Sequence, residues 1–145
     1  MLGVVEGSSR GDMDYLFRVS LKAFIQNERG EVLVVKERAR DWWDLPGGGM
    51  NHDDTYVTAL SRELKEEVGF EGTLTLRILR AEEPTIVQRL LAQQVRLVFL
   101  VHLSNYDVSV GNDADKIAWK NPALFEHSEN LAEHRIWENA CLLTP

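Results

Sequence analysis

The four residues Pro46-Gly-Gly-Gly49 constrain the fold of this chain more than any other stretch. Three consecutive glycines after a proline bring no side chains to hold a regular element, so the segment reads as a loop of unusual backbone freedom. Before it, Phe17, Val19, Leu21, Ala23 and Ile25 alternate with Arg18, Ser20, Lys22 and Gln26, with only Phe24 breaking the polar side. That period of two signals a strand. A turn at Asn27 to Gly30 leads into the apolar, β-branched run Glu31 to Glu37, and residues 17 to 37 together read as a hairpin. Beyond the glycines, Asp53, Asp54 or Thr55 suits the cap of a helix that runs to about Val68 and stops at Gly69. Its apolar stripe is Val57, Leu60, Leu64 and Val68. The glycine loop therefore has to join a strand pair to an amphipathic helix.

The alternation resumes at Leu74, and further strands follow. Leu74, Leu76 and Ile78 mark a third strand, Val95 to Leu103 a central strand covered on both faces, and Lys116 to Trp119 a short one. Residues Pro84 to Gln94 fit helix and strand equally. A last helix runs from about Asn130 to Leu143, with Ile136, Trp137, Ala140 and Cys141 on one face. Strands on both sides of one helix, closed by another, predict an α/β fold with a mixed sheet sandwiched between helices. The length of 145 residues suits one domain, taken as 15–145 after a glycine- and serine-rich lead-in at 1–14. There are 23 acidic residues against 16 basic, a net charge of −7, which argues against a binder of duplex nucleic acid. A single cysteine, no signal-peptide pattern in MLGVVEGSSRG and no apolar run near the ~20 residues of a membrane span point to a cytoplasmic protein.

On the first helix, Glu63, Glu66 and Glu67 crowd one face within about a turn, and like charges at i, i+4 repel. Two readings fit: a solvated face balanced by Arg62 and Lys65, or a seat for a hard divalent cation that takes oxygen ligands.

Read in register from Gly48, the chain runs through Asp54, Arg62-Glu63-Leu64, Glu66-Glu67, Gly69 and Phe70. This resembles the Nudix box, G-x5-E-x7-R-E-U-x-E-E-x-G-U, at every fixed position except Asp54, where the family has glutamate. The resemblance implies an α/β/α Nudix fold and a hydrolase. Such an enzyme cleaves the diphosphate of a nucleoside diphosphate linked to another group X, using water and Mg2+ or Mn2+. It further implies that Glu63, Glu66 and Glu67 are catalytic, metal-binding carboxylates, that the Gly48 carbonyl is a backbone ligand, and that Arg62 orients the acids. The general base is Glu63, Glu66 or an acid from a later loop, for which Asp113 and Asp115 are the candidates. A small-molecule nucleotide is the implied partner, and a homodimer the implied assembly. The alternative is a Nudix-like module that binds a nucleotide with weak or no catalysis.

Among other residues, Arg38 and Arg40 are placed to touch phosphate, and Trp42 or Trp43 to stack on a base or to pack. Asn51 stands where the resemblance favours an acid. His52 lies in the loop, whereas His102, His127 and His134 lack the spacing of a zinc site, and Cys141 reads as a packing residue.

Overall fold

The structure is a computed structural model that describes residues 16–144, so the lead-in at 1–14 lies outside the described residues. Strands β1 (Phe17–Phe24), β2 (Val32–Glu37), β3 (Gly47–Gly49), β4 (Leu74–Ala81), β5 (Thr85–Val87), β6 (Ala92–Leu103) and β7 (Ala114–Lys120) combine with helices α1 (Tyr56–Val68) and α2 (Leu131–Cys141). One sheet has the order β3-β1-β6-β4, with β5 also on β6, and is mixed because β1 and β6 run parallel while the other pairs are antiparallel. A second, two-stranded sheet joins β2 to β7.

The expected hairpin exists only at its neck. Asn27 and Leu33 donate backbone hydrogen bonds to Glu31 and Ile25, at 3.0 Å each, after which β1 and β2 part into different sheets. Both edges of β1 are taken by β3 and β6, which leaves β2 to find its partner in β7. The glycine segment, expected as a loop, is itself the edge strand β3. The ambiguous stretch after Pro84 resolves into β5, a 3-10 turn at Gln88–Leu90 and the start of β6.

Alternation along the strands builds a core on each face. Leu21, Ala23, Leu33, Val35 and Phe99 pack with Leu60, Leu64 and Val68 of α1. Phe24, Val32, Val34, Val98 and Leu100 pack with Phe125 and with Ile136 of α2. Phe24 interrupts the polar pattern of β1 because that side reaches the second core. Thr55 caps α1, accepting from the Thr58 N–H, and Gly69 ends it in the left-handed region at φ 64°. Two packing expectations are corrected. Val57 is 44 % exposed, its place on the stripe taken by Ala59, and Cys141 is exposed at the end of α2.

The polar side of β1 is also not solvated. Lys22 is buried, with Nζ 3.3 Å from both Asp44 and Glu37, and buried Arg96 on β6 sits 2.7 Å from Asp44. Burial would push Asp44 up, but Lys22 and Arg96 overcome it and hold the carboxyl at about 2. The unfolded chain takes up that proton near 3.8, so the contribution is complete above that pH and is lost as pH falls through 2. At 1.36 kcal/mol per unit this amounts to about 2 kcal/mol. Unfolding free energies from urea titrations between pH 4 and 2 are expected to fall by that amount, and Asp44→Asn to lack this part of the slope.

Candidate active site

The site forms where β3 and α1 meet. Gly48 pairs with Leu21, on the α1 side of the sheet, and its missing side chain leaves room for an acid. A Cβ at Gly48 would stand 2.7 Å from the carboxyl atoms of Glu63, so only glycine lets that carboxylate lie against the strand. One residue earlier, the Gly47 N–H donates to Glu67 Oε2 at 3.3 Å. Glu63, Glu67 and Gly48 thus meet on the wall of a cavity of about 660 Å³.

Both carboxyls are short of positive charge. Burial, then the neighbouring Glu66, raises Glu63 above the ordinary glutamate range, although Arg62 and Lys22 pull the other way. Burial pushes Glu67 up to about 8; Lys22 opposes this, and Glu37 and Glu63 add to it. Glu66 does not line the cavity. Its carbonyl accepts from the Asp113 N–H at 3.0 Å, one of three bonds, with Ser109 to Val68 and Gly111 to Glu67, that tie the 109–113 loop to the end of α1.

Asp54 reaches the partner the site requires. Its Oδ2 accepts from Arg62 Nη1 at 2.7 Å and from the Asn51 N–H at 2.8 Å, while Arg62 Nη2 donates to the Gly49 carbonyl at 3.1 Å. Arg62 therefore clamps the loop and β3 to the helix, 3.6 Å from Glu63. The hydrogen bond from Arg62 holds Asp54 below the usual carboxylate range. Asp54→Glu is expected to change kcat by less than about threefold, whereas Asp54→Ala should lower it about 10- to 100-fold, the usual cost of losing an outer-shell partner. Steady-state rates of both variants check this.

The other candidates divide. Arg38 and Asp113 line the cavity, but Asp115 accepts from the Ala39 N–H at 3.0 Å and so holds the turn after β2. Trp43 lies outside the cavity lining, packed at the second core, with Lys36 and Lys120 each 5.2 Å from its ring. Arg40 pairs with Glu37 at 2.6 Å and lies over Trp42. Lys22, Arg96, Arg18 and Arg89 line the cavity and were not anticipated. Arg96 had left a signal, as the one charge within the otherwise apolar run Val95 to Leu100.

The donor chemistry fits a magnesium-like ion: carboxylate oxygens with raised affinity for positive charge, beside a strand stripped of side chains. Among the described residues, however, no three His, Cys, Asp or Glu side chains are drawn together as a closed metal cluster.

A mixed α/β sandwich with an acid-bearing helix set against a glycine strand is the arrangement of a Nudix domain. The NUDIX domain family model matches residues 16–141, and the chain belongs to this family. Among solved structures, the fold is similar to the MutT protein of Methanosarcina mazei Go1, with a TM-score of 0.70, 22% identity, and coverage of 86% of this chain and 93% of that one. It is also similar to the E. coli ORF135 protein, with a TM-score of 0.71, 20% identity, and coverage of 94% and 95%. An RNA pyrophosphohydrolase of Pseudomonas putida is 44% identical over 55 residues, which make up 38% of this chain and 35% of that protein. The chain thus spans about a third of the length of the curated relatives it matches.

Proposed function

We propose that this protein is a hydrolase of phosphoric anhydride bonds that cleaves the diphosphate linkage of a small nucleotide substrate with water. The observation that carries this reading is the meeting of Glu63 and Glu67 against Gly47 and Gly48 on a cavity wall, with Arg62 and Asp54 bracing the same corner. The name of the Pseudomonas putida relative, a pyrophosphohydrolase, agrees with it.

Glu63, Glu67 and the Gly48 carbonyl would hold Mg2+ or Mn2+, with Glu66, outside the cavity lining, adding negative charge from the same helix; the ion would supply charge to the phosphates and lower the pKa of water. The chain's residues do the rest. Arg62 keeps Glu63 in place from behind, and the N–H of Gly47 fixes Glu67. A carboxylate on the cavity wall, Glu63 or Asp113, takes the proton of the attacking water. The water oxygen forms a new P–O bond as the bridging P–O bond breaks, and the leaving phosphate departs with the bridging oxygen. The setting is cytoplasmic in this reading, and the assembly a homodimer. No described helix is long and apolar enough to cross a membrane.

The test is a product-release assay over nucleoside triphosphates, oxidised nucleotides, ADP-ribose, nucleotide sugars and dinucleoside polyphosphates, with and without Mg2+ or Mn2+. Metal-dependent release from at least one class is expected. Binding without release from any of them would make the chain a nucleotide-binding module.

A further inference from the structure

The charges of the cavity wall are unevenly matched. Lys22 and Arg96 meet Asp44 at 3.3 and 2.7 Å, and Arg40 meets Glu37 at 2.6 Å. Three more cations line the same cavity: Arg18 on β1, Arg38 just beyond β2, and Arg89 in the 3-10 turn after β5. None of the three makes an ion pair with a described residue. Arg18 donates only to the Gln94 side-chain oxygen, and Arg38 and Arg89 are exposed. They come from segments far apart in the chain, and the feature they share is this cavity.

The wall is as telling for what it omits. Among the described residues, no aromatic or histidine side chain lines it. Its neutral hydrogen-bonding side chains are those of Ser20 and Gln94, and the Gln94 oxygen is engaged by Arg18. A nucleobase is held most firmly by stacking on an aromatic ring and by donor and acceptor side chains matched to its edge, and the described wall offers no ring and few acceptors that are not already paired. A guanidinium fork, in contrast, matches a phosphate with two parallel hydrogen bonds.

We infer that Arg18, Arg38 and Arg89 form an anion subsite for phosphates beyond the scissile linkage. The substrate is then a compound with three or more consecutive phosphates, selected by its phosphate chain and largely blind to its base. This rests on the hydrolytic reading above. It separates the chain's substrates from nucleotides whose X group is an uncharged sugar, which would leave the three arginines without a partner.

The experiment measures kcat and KM of the full chain with Mg2+ for ATP, GTP, CTP, UTP, adenosine tetraphosphate, ADP-ribose and ADP-glucose. The expected order puts the tri- and tetraphosphates at least about tenfold above the sugar compounds in kcat/KM, on the strength of charged hydrogen bonds. The four bases should fall within about threefold of one another, since few hydrogen bonds separate them. Arg38→Gln and Arg89→Gln, at exposed positions that should not disturb folding, are expected to raise KM for triphosphates about tenfold with kcat held and to leave KM for ADP-ribose unchanged. Arg89→Lys should recover part of the loss. Preference for a sugar compound, base discrimination beyond tenfold, or an unchanged triphosphate KM in both glutamine variants would overturn the subsite. Should none of these compounds be turned over, the wider product-release panel decides the hydrolytic reading, and binding of inorganic tripolyphosphate decides the subsite by itself. Weaker binding in the two variants supports it, and equal binding refutes it.

Discussion

Glu67→Gln is expected to lower metal-dependent hydrolysis by roughly a thousandfold, since an ion's charge on the reacting phosphate is worth several kcal/mol and each 1.36 kcal/mol is a decade. The fold should survive the change. Glu67 is 3 % exposed, and its carboxyl, pushed up to about 8 by burial first and by Glu37 and Glu63 against the pull of Lys22, is already mostly neutral at pH 7 without metal. Glutamine mimics that neutral form and keeps an oxygen for the Gly47 N–H. The sign of the pH effect follows. The folded carboxyl binds its proton more tightly than the unfolded one, which titrates near 4.5, so metal-free stability is full below 4.5 and falls as pH rises through 8. The loss is on the order of a few kcal/mol. Urea titrations of the metal-free protein should show this decline in wild type and not in Glu67→Gln. Added Mg2+ should restore wild type alone, as any ligand of the native state does.

Gly47→Ala is expected to be the most damaging single change to the fold, costing about 4 kcal/mol or more. At φ 144° the backbone occupies a region that L side chains rarely adopt, and a Cβ there would stand 1.9 Å from the Leu21 carbonyl oxygen. That contact is with the backbone of the central strand, so neither partner can swing aside, and β3 would have to leave β1. Gly48→Ala makes the informative contrast. Its clash is with the end of the Glu63 side chain, which can rotate away, so thermal unfolding should move little while hydrolysis is lost. A pair of melting curves beside a pair of rates separates the two glycines.

Much of this was legible in the sequence, because it was written in local patterns. The period of two marked β1 and β4, the nearly continuous apolar run Val95 to Leu103 marked β6, and the apolar stripe with its Thr55 and Gly69 ends marked α1. The spacing of Gly48, Arg62 and the glutamates marked the candidate site, and the fold brings Gly48, Glu63 and Glu67 together on one cavity wall. What escaped was pairing between distant segments. Nothing local to residues 17 to 37 says that β1 takes β3 and β6 as its neighbours, and a triple glycine carries no side-chain pattern to announce a strand. The polar alternation of β1 marked a strand without showing that its polar side is buried, since the partners that bury Lys22, Asp44 and Arg96, lie 22 and 74 residues along the chain. For the same reason Arg18 and Arg89 were not anticipated, whereas Arg38 and Arg40, close to the glycine segment in the chain, were. Arg18 and Arg89 become neighbours of the acids only when β5 and β6 fold back along β1.

The most direct test of the central claim, that the acid face of α1 seats a divalent cation against β3, is an electron paramagnetic resonance titration of the protein with Mn2+. Wild type is expected to bind the ion, Mg2+ to compete for it, and Glu63→Gln and Glu67→Gln to weaken it at least about tenfold, as loss of a charged oxygen ligand should. Equal Mn2+ binding by wild type and both variants would contradict the account and leave Glu63 and Glu67 as acids of the helix with no part in holding an ion.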